Sequence, residues 1–133
     1  MVNDSPSRRV SRIFLILFVV GILFLVFMSL FSELLPAYHR LFWRISLDNV
    51  LHFVAFAMLG VVAPLAFRRG TRAFGALFAL MLLGSFMEYW QLYLPHRRCE
   101  LIDASANILG IVVGGGLGFW LRSLCCTPRA VSS

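Results

Sequence analysis

The sequence of 133 residues contains no lysine and little charge of either sign. Charged residues make up 14% of the chain, against about 25% in a soluble domain, and 60% of the residues are hydrophobic. This composition leaves too little polar surface for a soluble fold. It also excludes a basic surface for nucleic acid, although the net charge is +6. We therefore predict a membrane protein with no nucleic-acid partner.

Cysteine is scarce as well. The chain has three cysteines, Cys99, Cys125 and Cys126, which are too few and too unevenly placed for a disulfide framework. No Cys/His spacing matches a zinc motif, and no glycine-rich loop outside the apolar segments could cradle a phosphate. We predict no metal and no cofactor; the alternative is a metal ion held by His52, Glu88 and Asp103.

Long uncharged segments fill most of the sequence. A helix needs about 17 to 25 apolar residues to cross a bilayer, and segments of that length must be helical unless they close into a barrel. The segments do not alternate as barrel strands would. We predict an all-α fold, a single domain over residues 1–133 with four transmembrane helices in one bundle. The predicted spans are residues 13–31, 50–67, 73–94 and 104–121.

The arginines predict the orientation. Three lie in the N-terminal tail, three between spans two and three, and two after span four, which places eight on one side. Four lie on the other side, two in the first loop and two in the third. Because basic residues are retained in the cytoplasm, we predict a multi-pass protein of the bacterial inner membrane with both termini cytoplasmic.

Polar residues gather where three of the spans meet the outer side. They form pairs three or four residues apart, a spacing that places both members on one helix face. Two arginines lie in the loop above them. Independent helices would not all carry such pairs at the same end by chance, so we predict one polar site. Its members are Asp48, His52, Glu88, Gln91, Arg97, Arg98, Asp103 and Asn107.

Glu88 lies inside a predicted span, where a carboxylate costs up to about 3.5 kcal/mol and needs partners. His52, Arg97 and Gln91 are the partners that we expect. We assign acid-base roles to His52 and Glu88 and binding roles to the other members of the site. The alternative is that these groups only join helices, since each interhelical hydrogen bond contributes about 0.6 kcal/mol.

These residues resemble the motifs of the VanZ-like family of small bacterial membrane proteins. The family has an Asp followed by a His-Phe pair, a Glu-x-x-Gln motif, a Pro-x-Arg loop and an Asp-x-x-x-Asn-x-x-Gly motif. The chain departs from it at Asn49, where the family often has lysine, and at His96, where it often has glycine. The resemblance implies a cell-envelope function connected with glycopeptide antibiotic susceptibility. The matching residues are Asp48, His52, Phe53, Glu88, Gln91, Pro95, Arg97, Asp103, Asn107 and Gly110.

Three functions fit the pattern. The first is binding or processing of the anionic head group of an envelope lipid or a lipid-linked wall precursor, with Arg97 and Arg98 on the phosphate. The second is a proton-coupled lipid transporter or flippase, and the third is a non-catalytic partner of another membrane protein. The inner halves of the spans carry only glycine, proline and apolar residues, which disfavours transport by a single chain. We favour the lipid site.

Two further segments predict helix packing or local structure. Span four carries small residues at four-residue spacing, which allows another helix to approach closely, either within the chain or in a homo-oligomer. These residues are Ala106, Gly110, Gly114 and Gly118. Residues 38–44 combine aromatic side chains with arginines, which fits either a short interfacial helix or an ordinary aromatic belt.

The natural cysteines test the orientation. If both termini are cytoplasmic, a membrane-impermeant thiol reagent applied to spheroplasts labels Cys99 and spares Cys125 and Cys126. Permeabilised cells, in which all three thiols are reachable, serve as the control. Labelling of the C-terminal pair with protection of Cys99 would reverse the orientation.

Overall fold

The structure is a computed structural model, and it describes residues 6–31, 40–42, 45–91, 93 and 101–126. Four long helices account for most of these residues, and a pair of short strands precedes the second helix. All four helices are long and apolar enough to cross a membrane, which confirms the predicted fold class. In chain order the elements are α1 Pro6–Phe31, β1 Arg40–Phe42, β2 Ile45–Ser46, α2 Leu47–Ala66, α3 Gly70–Gln91 and α4 Leu101–Cys126.

The helices differ from the predicted spans mainly at their ends. α1 begins seven residues before the predicted start at residue 13, and α4 ends five residues after the predicted end at residue 121. The predicted bounds followed the loss of apolar residues, whereas a helix continues past the hydrocarbon as long as its backbone hydrogen bonds are made. α3 ends at Gln91, before the predicted end at residue 94.

The two strands pair antiparallel between α1 and α2. Arg40 is opposite Ser46 and Phe42 is opposite Ile45, with an irregularity between the two pairs. The short interfacial helix considered for residues 38–44 is therefore wrong at residues 40–42. Phenylalanine and isoleucine, as at Phe42 and Ile45, favour strands. A helix of only one or two turns makes too few hydrogen bonds to offset the unfavourable free energy of helix nucleation.

Glycines of α4 lie directly against the backbone of α2. A methyl carbon added at Gly110 would lie 2.5 Å from the carbonyl oxygen of Phe53, and one added at Gly118 would lie 2.5 Å from that of Val61. At Gly114 the added carbon would overlap the carbonyl of Ala57. Real Cβ atoms do not approach so closely. The two helices therefore run in parallel with their backbones in contact, which permits weak Cα–H···O=C bonds.

This contact shows how the small-residue pattern is used within the chain. Its glycines pack against α2, and α2 has a small residue of its own at the contact. A methyl carbon at Gly60 would lie 3.0 Å from the nitrogen of Gly115 and 3.1 Å from the oxygen of Ile111. A homo-oligomer remains a prediction, and it would need a face of α4 other than the one buried against α2.

The carboxyl end of α2 is capped by side chains from two other helices. Arg122 of α4 donates from Nη1 to the carbonyl oxygen of Phe67 at 3.0 Å and from Nη2 to that of Arg68. Ser11 of α1 donates its hydroxyl to the carbonyl oxygen of Ala66 at 2.6 Å. These side chains donate hydrogen bonds to carbonyls that have no donor within the helix, as is usual at a helix end. The positive guanidinium of Arg122 also complements the negative end of the helix dipole.

Most of the outward surface is apolar and faces lipid. Ile16, Leu23 and Met58 are more than 60% exposed in the isolated chain. The serines on this surface bond to carbonyls of their own helices, for example Ser85 to Met81 at 3.0 Å. Lipid offers no hydrogen bonds, so this local bonding removes the cost of placing a hydroxyl there.

The glycine contact predicts a difference between two neighbouring glycines of α4. Gly114→Ala places a methyl group into the carbonyl of Ala57, so α2 and α4 must move apart, and we expect a loss of about 1–3 kcal/mol of stability. Gly116→Ala is the matched control, because nothing lies within 4 Å of the added carbon. Thermal unfolding in detergent measures both variants. Equal unfolding midpoints would contradict the contact.

Candidate functional site

A chain of hydrogen bonds joins three helices at one end of the bundle. The amide nitrogen Nδ2 of Asn107, on α4, donates to the carboxylate oxygen Oε1 of Glu88, on α3, at 3.1 Å. The amide oxygen Oδ1 of Asn107 lies 3.2 Å from the imidazole nitrogen Nδ1 of His52, on α2. We call these three residues the polar triad and the end of the bundle that holds them the polar end.

The topology brings the triad together. α2 and α4 begin at the polar end and α3 finishes there, so His52 and Asn107 lie near the starts of their helices and Glu88 lies near the end of its own. The glycine contact between α2 and α4 continues to within one turn of Asn107, at Gly110. It therefore holds the helices that carry the imidazole and the amide at hydrogen-bonding distance.

A second glycine lets α3 reach the triad. Gly84 lies one turn before Glu88, and a methyl carbon added there would lie 3.1 Å from Cζ of Phe56 and 3.6 Å from Cβ of Asn107. A larger residue would push α3 away from α2 and α4. Glu88, on the same face four residues later, would then lose contact with the amide.

The triad is buried to different degrees. Glu88 is 4% exposed and Asn107 is 3% exposed, whereas His52 is only partly buried. A carboxylate at such a position is tolerated only with donors around it, because leaving it without hydrogen bonds costs several kcal/mol. The Asn107 amide supplies one donor. The imidazole is the member of the triad that remains accessible from outside.

Aromatic and aliphatic side chains close the site toward the middle of the bundle. Phe56 is fully buried one turn below His52, with the two rings near parallel at 27° and their centroids 6.4 Å apart. Leu80 and Ile111 are buried at deeper levels. Among the side chains that the structure describes, the buried polar ones all lie at the polar end. No described polar side chain continues the triad inward through the core.

One of these buried residues was missed by sequence reasoning. Asn49 is 5% exposed at the first turn of α2, three residues before His52 and on the same side of the helix. Asn49 was predicted only to be a departure from a family motif. Its spacing from His52 was the signal that could have placed it beside the site.

The other predicted members of the site are described only in part. Asp48, Gln91 and Asp103 lie in the helical turns at the polar end, but their side chains lie outside the described part of the structure. Arg97 and Arg98 lie outside the described residues altogether. Their roles remain predictions.

Asn107 is one donor to the carboxylate of Glu88. Its amide also links that carboxylate to the imidazole of His52. The expected pairing of Glu88 with His52, Arg97 or Gln91 stays a prediction, because the side chains of Arg97 and Gln91 lie outside the described part of the structure. Sequence reasoning included Asn107 in the site but did not assign it this position between the other two.

Exposed aromatic side chains mark the depth of the site. Tyr89, Trp90 and Tyr93 are each more than 50% exposed beside Glu88, and the hydroxyls of the two tyrosines are 2.6 Å apart. The hydrogen bond with Tyr89 raises the pKa of the Tyr93 phenol above its ordinary value. Tyrosine and tryptophan concentrate at the membrane–water boundary. We therefore expect the triad to lie just below the level of the lipid head groups.

The described residues contain no group of three or more His, Cys, Asp or Glu side chains that could hold a metal ion. The polar triad offers one carboxylate, one amide and one imidazole. These groups can accept a proton, donate hydrogen bonds and carry a positive charge when the imidazole is protonated.

The fold and the site define a class of protein: a small polytopic membrane protein with a buried polar cluster at one end of its helix bundle. The sequence model of the family described as VanZ/LLP1 matches residues 3–122. The chain belongs to this family, which confirms the resemblance seen in the motifs. No curated protein and no solved structure matches the chain significantly.

Proposed function

We propose that the protein binds the anionic head group of an envelope lipid, or of a lipid-linked wall precursor, at the polar end. The observation that carries this proposal is the polar triad, in which a buried carboxylate is linked through an amide to an accessible imidazole. A protonated imidazole can donate to a phosphate, and the buried carboxylate stabilises that positive charge.

The position of the site favours a lipid over a soluble ligand. The triad lies beside exposed tyrosine and tryptophan side chains. Such side chains concentrate at the membrane–water boundary, where phosphates of lipid head groups are found. Lipid-facing apolar surfaces of the helices continue from this level into the membrane, so a bound lipid can keep its acyl chains in the bilayer. The predicted orientation places this head group in the outer leaflet of the bacterial inner membrane.

Roles within the proposed site follow from the chemistry of its side chains. His52 and Glu88 perform acid-base work if the head group is processed, and Arg97 and Arg98 contact its phosphate. Asp48, Gln91, Asp103 and Asn107 orient these groups or bind the polar parts of the ligand. Occupation or processing of a wall precursor in this way would alter susceptibility to glycopeptide antibiotics.

Mass spectrometry of lipids that purify with the protein tests the proposal. We expect the protein extracted from bacterial membranes to retain a phosphate-containing envelope lipid. His52→Ala should lower the affinity for this lipid tenfold or more, because a charge-assisted hydrogen bond contributes about 1.5–3 kcal/mol.

Ser85→Ala is the matched control, because this hydroxyl lies on the lipid-facing side of α3 and bonds to its own helix. It should retain the lipid of the unmodified protein. Identical lipid content in the unmodified protein and in folded His52→Ala would contradict the proposal, as would the absence of any phosphate-containing lipid.

A further inference from the structure

We propose that the end of the bundle opposite the polar end binds an anionic phospholipid through exposed arginines of three segments. The segments are the start of α1, the loop between α2 and α3, and the first turn of α3. We call these arginines the basic end. They are Arg8, Arg9, Arg68, Arg69 and Arg72. This site is separate from the polar triad and does not depend on the proposed function.

A hydrogen bond between two helices brings these segments together. Ser11 of α1 donates its hydroxyl to the carbonyl oxygen of Ala66, the last residue of α2, at 2.6 Å. Arg8 precedes Ser11 by three residues and therefore lies on the same face of α1. Arg68 and Arg69 follow Ala66 closely, and α3 begins directly after them. The first turns of α1 therefore lie beside the loop that carries the other arginines.

Packing below this hydrogen bond holds α1 in place. The rings of Phe18 and Phe67 meet edge to face, with their centroids 5.8 Å apart. Farther along α1, a methyl carbon added at Gly21 would lie 2.7 Å from Cδ2 of Leu59, so the two helices are close there as well. These contacts keep the arginines of α1 beside Arg68, which follows Phe67 directly.

One arginine at this end has an internal role, and it differs from the basic end in exposure. Arg122 is only half-exposed, and its guanidinium donates to the carbonyl oxygens of Phe67 and Arg68. Its charge is therefore used to complement the negative end of the α2 dipole. The arginines of the basic end are exposed, so their side chains are open to molecules around the protein.

Positive charge accumulates at the basic end. Neither α1 nor α3 has an acidic residue in its first turn, and both helices begin here, so the positive ends of their dipoles add to the arginines. Arg8 and Arg12 are one helical turn apart, a spacing at which like charges repel. A bound anion would reduce this repulsion. The acidic residues within the described helices all lie at the polar end, and they are Asp48, Glu88 and Asp103.

The surface next to the arginines favours a phospholipid over a soluble anion. Ile13 and Leu17 of α1 and Phe74 and Phe78 of α3 are each more than half exposed, and they continue from the basic end into the membrane. A phospholipid can place its phosphate among the guanidinium groups and its acyl chains along these apolar side chains. The predicted orientation places the site in the cytoplasmic leaflet, where anionic lipids attract arginines near the membrane surface.

Native mass spectrometry of the full chain in detergent tests the proposal. The protein is titrated with phosphatidylglycerol, which is anionic, and with phosphatidylcholine, which has no net charge. We expect phosphatidylglycerol to bind more tightly. Arg68→Gln combined with Arg69→Gln should weaken its binding about 25-fold, because each arginine near an anionic surface contributes about fivefold to the affinity. Equal affinities of the unmodified protein for the two lipids would overturn the proposal.

A second pair of substitutions and a matched control complete the test. Arg8→Gln combined with Arg9→Gln should also weaken the binding of phosphatidylglycerol, because these residues contribute from α1. Thr71→Gln introduces the same side chain into the same exposed segment without removing charge, and it should retain the affinity. Unchanged affinity in either double variant, with an unchanged thermal unfolding midpoint, would overturn the proposal. If one double variant fails to fold, the other variant and the comparison of lipids still decide.

A substitution at the opposite end distinguishes this site from the proposed function. His52→Ala should lower lipid binding at the polar end and leave the effect of the arginine substitutions on phosphatidylglycerol unchanged. Loss of phosphatidylglycerol in His52→Ala, with none in the arginine variants, would assign this lipid to the polar end and overturn the proposal. A protein that binds phosphatidylglycerol through the arginines and retains no lipid at the polar end supports the basic end and contradicts the proposed function.

Discussion

Direct contact between the backbones of α2 and α4 is the constraint on which the rest of the structure depends. Gly110, Gly114 and Gly118 allow it, because any side chain at these positions would meet a carbonyl of α2. Two helices that touch at this distance cannot rotate or slide without a clash. Their first turns are therefore held in one register, and His52 faces Asn107. The same rigidity lets Arg122, near the other end of α4, reach the carbonyls that end α2.

The polar triad combines more kinds of polar group than the packing of helices requires. Serine or asparagine side chains would join helices at lower cost than a buried carboxylate, whose desolvation offsets much of what its hydrogen bonds contribute. The triad instead combines a carboxylate that is almost fully buried with an imidazole that is only partly buried. Apolar side chains separate it from the middle of the bundle. An accessible proton-exchanging group supported by a buried charge is typical of a functional site.

The sequence predicted the four helices and the gathering of polar groups at one end, because apolar length and helical spacing depend only on neighbouring residues. It could not predict the contact between Glu88 and Asn107. Residue spacing defines a face of each helix but not how that face is rotated against another helix, and Asn107 meets Glu88 only after α3 and α4 have packed around Gly84. For the same reason, the sequence could not predict which helix packs against the glycines of α4. The paired strands before α2 were not predicted, because short aromatic segments fit several local structures.

A double-mutant cycle between His52 and Glu88, measured for both lipid affinity and stability, tests most directly whether the triad is a site. Residues that act as a unit lose most of their function at the first substitution. His52→Ala combined with Glu88→Gln should therefore bind the lipid no more weakly than the weaker single variant, with stability changes near 0.6 kcal/mol per lost bond. Full lipid affinity in folded His52→Ala and Glu88→Gln would contradict the account and leave the triad as a link between helices.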